Sequence, residues 1–284
     1  MMVFDTVNAL TRELEKLRKQ KHSIGFVPTM GALHNGHLSL IEKAGKDNDS
    51  VIMSIFVNPT QFNNPDDLKN YPKNIEADLK LLEKTSCKIV FAPLEKEIYP
   101  NEESKNNSFS FGRLTEVMEG KYRPGHFNGV ATVVKRLFEI VKPDRVYFGQ
   151  KDIQQFLVIN ALNKNYLADL KIELVKCPII RESDGLAMSS RNVLLKSEQR
   201  KSAALISKSL FEAGEKYKNF EPDELKKLIV EKINSDSNMK VEYLEFVTEP
   251  DLKPIEKWDD DQKILACIAV QVGNVRLIDN IYFN

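Results

Sequence analysis

The sequence predicts an α/β fold in two parts: a doubly wound parallel sheet domain over residues 1–177 and a smaller α+β domain over residues 178–284. Two observations lead to this prediction. In the first part, short apolar runs alternate with helical patterns, which is typical of a parallel sheet covered by helices on both faces. In the second part, two helical patterns are followed by three apolar runs without a helix between them. A chain of 284 residues is also long enough for two domains of ordinary size.

Short apolar runs in the first part predict buried strands. The five runs begin at Ser23, Ser50, Lys88, Arg145 and Lys171. The best helical pattern between them extends from His126 to Val141, with its apolar residues on one face, and Pro143 ends it. Strands and helices that alternate in this way predict a Rossmann-like domain.

The second part begins with a polar loop after Cys177 and Pro178. One helix is predicted to open at Ser197 and another at Pro222, because proline suits the first turn of a helix. Strands are then predicted from Val241, Lys263 and Val275. At the other end of the chain, the charged N-terminal segment predicts a helix and lacks the features of a signal peptide.

Composition excludes several classes of protein. The 41 Lys and Arg residues balance 41 Asp and Glu residues, which argues against a nucleic-acid partner bound across a whole basic face. The apolar runs are shorter than the ~20 residues of a membrane span, so no membrane association is expected. Cys87, Cys177 and Cys267 lie far apart in apolar stretches, which predicts buried free thiols and a cytoplasmic location.

The first candidate site is PTMGALHNGH, from Pro28 to His37, directly after the first predicted strand. Its glycines suit a turn between a strand and a helix, with Asn35 as the expected N-cap. His34 and His37 are three residues apart and should point the same way, beside a helix N-terminus that favours phosphate. Phosphate binding is the preferred interpretation, while a metal site and two purely structural histidines stay open as alternatives.

Two further segments carry polar groups that suit phosphate. Lys151, in GQKDIQQF, comes where a strand ends and a helix begins, although Asp152 and Gln155 also fit a simple capping pattern. The loop MSSRN, from Met188, offers two hydroxyls and an arginine. Signatures of dinucleotide binding, serine hydrolysis, zinc proteases and P-loops are missing from the sequence.

Taken together, these motifs closely resemble the pantothenate synthetase (pantoate–β-alanine ligase) family. The resemblance also includes VNPTQF from Val57, EGKYRPGHFNGV from Glu119 and RLIDN from Arg276, and it extends over essentially the whole chain. HNGH stands where the superfamily of nucleotidylyl transferases carries its HIGH motif. The resemblance implies a homodimer that uses ATP and Mg²⁺ to join (R)-pantoate to β-alanine through a pantoyl adenylate, releasing diphosphate and AMP. The metal ligands are not implied.

The resemblance also implies roles for individual residues. His34, His37 and Lys151 would be catalytic. The ATP site would comprise Met30, Gly31, Ala32, Leu33, His34, Asn35, Gly36, His37, Gly149, Gln150, Lys151, Asp152, Ile180, Met188, Ser189, Ser190 and Arg191. Gln61 and Gln155 would hold pantoate, and Asn58, Tyr71, Glu119 and Arg123 are further substrate-binding candidates. The apolar segment SFSF from Ser108 is a predicted strand and a candidate for pairing in a dimer.

Two other function classes stay open at this point. A nucleotidylyl transferase would leave AMP attached to its product, whereas a ligase releases free AMP. A nucleotide-binding module without catalytic activity would bind ATP and release no diphosphate with any acid. The two glutamines beside the nucleotide motifs favour a small polar acid as the second substrate.

Overall fold

A computed structural model describes residues 1–283 and contains two β-sheets. The strands are β1 (Met2–Phe4), β2 (Ile24–Thr29), β3 (Ser50–Ile55), β4 (Cys87–Phe91), β5 (Arg145–Gly149), β6 (Glu173–Cys177), β7 (Met239–Thr248), β8 (Lys253–Pro254), β9 (Ile264–Val272) and β10 (Val275–Phe283). The α-helices are α1 (Val7–Lys19), α2 (Asn35–Asp47), α3 (Pro65–Asn70), α4 (Ile75–Leu82), α5 (Glu95–Ile98), α6 (Met118–Tyr122), α7 (His126–Val141), α8 (Ile153–Tyr166), α9 (Ser197–Lys216) and α10 (Pro222–Asn234). Short 3-10 helices at Pro59–Gln61, Gln150–Asp152 and Ser190–Leu194 matter for the site.

The N-terminal sheet confirms the predicted fold class. Its six strands are parallel in the order β1-β4-β3-β2-β5-β6. The order reverses between β2 and β5, so this is a doubly wound sheet with its switch point at the carboxyl ends of those two strands. Ligands bind at such switch points.

Both faces of this sheet are covered, which explains why its strands read as continuous apolar runs. On β2, Ile24 and Phe26 pack in a core with α1 and α7, whereas Val27 points to the opposite core with α2. Gly25 lies where an added Cβ would be 2.6 Å from the Asn48 side chain, so the end of α2 packs directly against the strand.

The C-terminal domain is the predicted smaller α+β unit. Its antiparallel sheet has the order β10-β9-β7-β8, and α9 and α10 cover one face. On the other face, Leu265, Cys267 and Ala269 of β9 pack in an apolar cluster with Ile153 and Leu157 of α8. The two domains therefore share an apolar contact, and β9 is buried on both sides.

Two predicted elements differ in the structure. The N-terminal segment is not only a helix, because Met2–Phe4 pair with β4 as an edge strand before α1 begins. The segment from Ser108 is not a strand. Phe109 and Phe111 stack on each other and contact the Tyr166 ring edge-on, so the two rings pack against their own chain.

The cysteines and the helices can be compared with the remaining predictions from the sequence. Cys87, Cys177 and Cys267 are free and buried. Among residues 1–283, no helix combines the length and apolar character needed to cross a bilayer.

Candidate active site

A cavity lies at the carboxyl edge of the parallel sheet, above the switch point between β2 and β5. It gathers most of the residues that the sequence singled out. Those lining it are Met30, His34, Gly36, His37, Asn58, Gln61, Tyr71, Gly149, Lys151, Asp152, Gln155, Ile180, Met188, Ser189, Ser190 and Arg191. Four loops that are distant in sequence thus converge on one cavity because parallel strands present their carboxyl ends at a common edge.

The two histidines of HNGH form one structural unit. His34, not the expected Asn35, is the N-cap of α2: its backbone is extended, and its Nδ1 accepts from the Gly36 N–H at 3.1 Å. His37 Nδ1 in turn accepts from the His34 N–H at 3.3 Å. The ring centroids are 4.1 Å apart. A Cβ at Gly36 would be 2.8 Å from the His34 ring, so any other residue at this position would displace that ring.

These bonds fix the chemical form of both rings. Each Nδ1 accepts a hydrogen bond, so the proton of a neutral ring must be on Nε2. Burial and the nearby charge of Lys151 lower the pKa of His34 to about 4. Burial, the neighbouring His34 and Lys151 lower the pKa of His37 well below its ordinary range. At neutral pH the site therefore presents two uncharged Nε2–H donors.

The turn before α2 is held by Asp78, a residue of α4 that the sequence did not single out. Its buried carboxylate accepts from the Ala32 N–H at 2.9 Å and the Leu33 N–H at 2.7 Å. Gly31 and Ala32 both have positive φ, and these two bonds stabilise that bend. Gly31, Ala32, Leu33 and the exposed Asn35 thus shape the turn from outside the lining of the cavity.

Lys151 and Asp152 face the cavity from the end of β5, with Lys151 Nζ 3.5 Å from the Asp152 carboxylate. Asp152 makes no side-chain capping bond to α8, so the capping pattern does not account for it. The turn is held from the C-terminal domain, because Asn280 Nδ2 donates to the carbonyls of Gln150 and Lys151 at 3.0 and 2.9 Å. Gln150 lies outside the cavity lining and donates to Asn280 Oδ1.

The loop containing MSSR reaches across to the N-terminal domain. Ser190 Oγ donates to the Ala32 carbonyl at 2.9 Å. Arg191 makes a bidentate ion pair with Asp67 of α3, at 3.1 and 2.9 Å from Nη2, and its guanidinium lies 5.4 Å from the centre of the Tyr71 ring. Within the loop, the Met188 N–H donates to the carbonyl of Ile180 and so connects the start of MSSR to the segment after β6.

Amide side chains also line the cavity. Buried Asn58 donates through Nδ2 to Gln61 Oε1 and to the Gly129 carbonyl, both at 3.1 Å. Gln61 Nε2 points to the sulfur of Met30 at 3.0 Å. Gln155, on the first turn of α8, faces the same space. The two glutamines thus lie on the same cavity as the histidine pair.

Glu119 and Arg123 lie in a smaller adjoining cavity that also contacts Lys151 and Gln155. The Glu119 carboxylate is turned towards the C-terminal domain, where Arg276 binds both of its oxygens at 2.7 and 2.8 Å. Burial opposes the ionisation of Glu119, but the pairing with Arg276 prevails and lowers its pKa to about 2. The structure therefore places Glu119 and Arg123 in this smaller cavity and not in the lining of the main one.

Sequence reasoning missed the apolar wall of the main cavity, which includes Phe56, Val130 and Val133. On a helix or strand these residues read as ordinary core. It also missed Asp67 and Asp78, and it assigned no role to Asn280 of RLIDN; the partners of all three are distant in sequence. The metal alternative for HNGH lacks a third ligand, since residues 1–283 contain no cluster of three His, Cys, Asp or Glu side chains placed to hold an ion.

Comparison with known proteins gives a consistent result. Residues 2–282 match the family model for pantoate-beta-alanine ligase. The chain is 48% identical to pantothenate synthetase of Azobacteroides pseudotrichonymphae, over the full length of both chains. It is similar to the crystal structure of pantothenate synthetase from Thermus thermophilus, with a TM-score of 0.91, 38% identity and 99% coverage of each chain. A pantoate-beta-alanine ligase from Francisella tularensis, complexed with beta-gamma ATP and beta-alanine, matches with a TM-score of 0.84 and 38% identity over 99% of this chain and 97% of that one.

Proposed function

We propose that the cavity above β2 and β5 is the active site of this chain. The chain belongs to the pantoate–β-alanine ligase family and is a ligase that condenses pantoate with β-alanine at the expense of ATP. One observation carries the proposal. Two neutral imidazole donors share a single cavity with cations and hydroxyls that suit phosphate and with two glutamine amides.

The nucleotide is proposed to lie along the turns after β2, β5 and β6. Lys151 supplies a point charge for the phosphates, and Ser189, Ser190 and Arg191 cover the triphosphate from the C-terminal domain. The turn from Met30 to His37 and the turn from Gly149 to Asp152 border the nucleotide, and Ile180 meets the adenine with its backbone. In this assignment HNGH takes the part of the HIGH motif.

The acid is proposed to lie against the amides. Gln61 and Gln155 hold pantoate through its hydroxyls and carboxylate, because each amide offers both a donor and an acceptor. Asn58 orients Gln61 and does not need to touch the substrate, while Tyr71 closes the side below Arg191. We propose that Glu119 and Arg123 border the region where β-alanine arrives.

Two displacements make up the reaction. A carboxylate oxygen of pantoate attacks the α-phosphorus of ATP, the bond to the β-phosphate oxygen breaks, and diphosphate leaves. The amine of β-alanine then attacks the acyl carbon, the bond to the AMP oxygen breaks, and the amine loses a proton as the amide forms. Neither step needs a covalent bond to the enzyme. The protein contributes positions and donors, and the Nε2–H groups of His34 and His37 stabilise charge as it grows on the phosphoryl oxygens.

Mg²⁺ is implied by the family, and the donors present fit it. This ion prefers phosphates and water, with one or two carboxylates from the protein. Asp152 is one such carboxylate beside Lys151, and we propose that it helps to hold an ion that ATP carries in. When bound, Mg²⁺ neutralises part of the phosphate charge.

Three features beyond the site complete the proposal. The domain boundary is placed at Cys177–Pro178, directly after β6. The enzyme is proposed to be cytoplasmic, which suits its three free thiols. It is proposed to be a homodimer, as the resemblance implies, and light scattering of the purified protein tests this.

A diphosphate-release assay tests the proposed function. Diphosphate should appear with ATP and pantoate alone, and free AMP and pantothenate should appear only when β-alanine is added. An adenylylated final product would instead indicate a nucleotidylyl transferase. Tight ATP binding without diphosphate release, even when pantoate and β-alanine are both present, would contradict catalysis at this site.

A further inference from the structure

His126 is the one buried histidine that the proposed chemistry leaves unused. It opens α7, and its side chain is only 6% exposed. Its Nδ1 lies 2.8 Å from the backbone carbonyl of Gln61, and its Nε2 lies 3.2 Å from Nη1 of Arg123.

The neighbours of His126 leave only one tautomer. A carbonyl oxygen can only accept, so Nδ1 must carry a proton. An arginine can only donate, so Nε2 must be without one. Burial and the charge of Arg123 agree with this neutral form, because they lower the pKa of His126 to about 4.

Arg123 is itself fixed in place. Its Nη1 lies 3.5 Å from Glu119 Oε2, and Glu119 is held by Arg276 of β10 and by the hydroxyl of Tyr243 at 2.8 Å. The chain of contacts therefore leads from the C-terminal sheet through buried Glu119 and half-buried Arg123 to His126. Its last bond ends on the peptide of Gln61.

The turn at Pro59–Gln61 depends on α7 in other ways too. An added Cβ at Gly129 would be 2.3 Å from the Thr60 carbonyl, so the first turns of α7 lie directly on this segment. Asn58 donates to the Gly129 carbonyl. Asn58 also bonds to the Gln61 side chain itself, whereas His126 bonds to the Gln61 backbone carbonyl and thus holds the peptide from which that side chain extends.

We propose that His126 is a positioning residue for Gln61, held in its Nδ1–H form by Arg123, and that it sets how well the acid substrate is bound and oriented. The inference rests on the proposed function, in which Gln61 contacts pantoate. It gives Glu119 and Arg123 a supporting place in the site in addition to any contact with the amine.

His126→Asn and His126→Gln form a matched pair that tests this role. The asparagine amide lies near the position of Nδ1 and keeps a donor for the Gln61 carbonyl, whereas the glutamine amide extends towards the position of Nε2. We expect the glutamine variant to lose about 10- to 100-fold in kcat/KM for pantoate, on the scale of a small displacement of a positioned substrate. The KM for ATP should be unchanged, and the asparagine variant should recover most of the loss.

A double mutant connects the effect to Gln61. If His126 acts through that residue, adding His126→Gln to Gln61→Ala should lower kcat/KM for pantoate little further. His22→Asn is the control, because His22 bonds to Ser50 Oγ at the opposite edge of the sheet. Its kinetic constants should equal those of the wild type.

The outcomes separate the two proposals. Equal activity of the two His126 variants, equal effects on pantoate and ATP, or multiplicative effects with Gln61→Ala would overturn the role of His126. If instead Gln61→Ala keeps the wild-type KM for pantoate, or if the wild type releases no diphosphate with pantoate, the proposed function itself fails.

Discussion

Replacing His37 with alanine removes one Nε2–H donor from the cavity and leaves the His34 N–H without its acceptor. The loss of one such donor to a developing oxyanion lowers kcat by about 10²- to 10³-fold, or ~2.7–4 kcal/mol. The lost cap should cost about 0.5–2 kcal/mol of folding free energy. We therefore expect a large kinetic defect in a protein that melts only a few degrees lower.

Formation of the adenylate is the step to measure. Single-turnover release of diphosphate from ATP and pantoate, without β-alanine, isolates the step in which His37 is proposed to act. His37→Gln should be less impaired than His37→Ala, because a glutamine amide can place a donor near the position of Nε2. His22→Ala, at the opposite edge of the sheet, should behave as the wild type.

Two results would refute the reasoning about His37. One is a single-turnover rate for His37→Ala close to that of the wild type, since the donor would then contribute nothing to the transition state. The other concerns charge. If His37 acts as a cation, the rate should fall as pH rises through about 6.5, the ordinary pKa of histidine. A neutral donor with a strongly lowered pKa predicts no such loss between pH 6.5 and 8.

Two further predictions follow from the ion pairs and pKa shifts. Asp67→Asn should free Arg191 for phosphate and tighten ATP binding by up to about fivefold, as expected for a partly exposed pair worth ~0.2–1 kcal/mol, and weaker binding by calorimetry would contradict it. The pKa values of His34, His37 and His126 are all lowered, so the unfolded chain binds more protons below pH 6.5. Stability from urea unfolding should therefore fall from about pH 6.5 towards pH 4, by at most ~1.4 kcal/mol per pH unit for each group, and His126→Asn should show a shallower fall.

The sequence predicted the features of the fold that depend on local pattern. The parallel strands after β1 and the bounds of α7 follow from apolar runs and from Pro143, and the clustering of the motifs follows from the edge at which parallel strands end. The strand Met2–Phe4 was missed because three residues are too few for a periodic pattern. Phe109 and Phe111 alternate as in a strand, yet packing against Tyr166 decides their conformation.

The capping of α2 shows why parts of the site could not be predicted. Both His34 and Asn35 have side chains that can accept a hydrogen bond. Asparagine is among the residues preferred at an N-cap, and the sequence therefore predicted Asn35. Which residue takes the extended cap conformation depends on where the preceding turn ends. That turn is held by Asp78, which lies 46 positions along the chain from Ala32. A contact of this kind leaves no periodic signal in the sequence.

The three histidines near the cavity divide according to which nitrogen carries the proton. Backbone N–H groups occupy Nδ1 of His34 and His37 and leave the proton on Nε2, whereas a carbonyl and an arginine impose the opposite form on His126. Because the first two rings are uncharged beside Lys151, we propose that Lys151 and Arg191 bind the charged triphosphate. In this proposal the imidazoles respond to charge that appears only during the reaction, where a donor lowers the barrier and does not merely tighten ground-state binding.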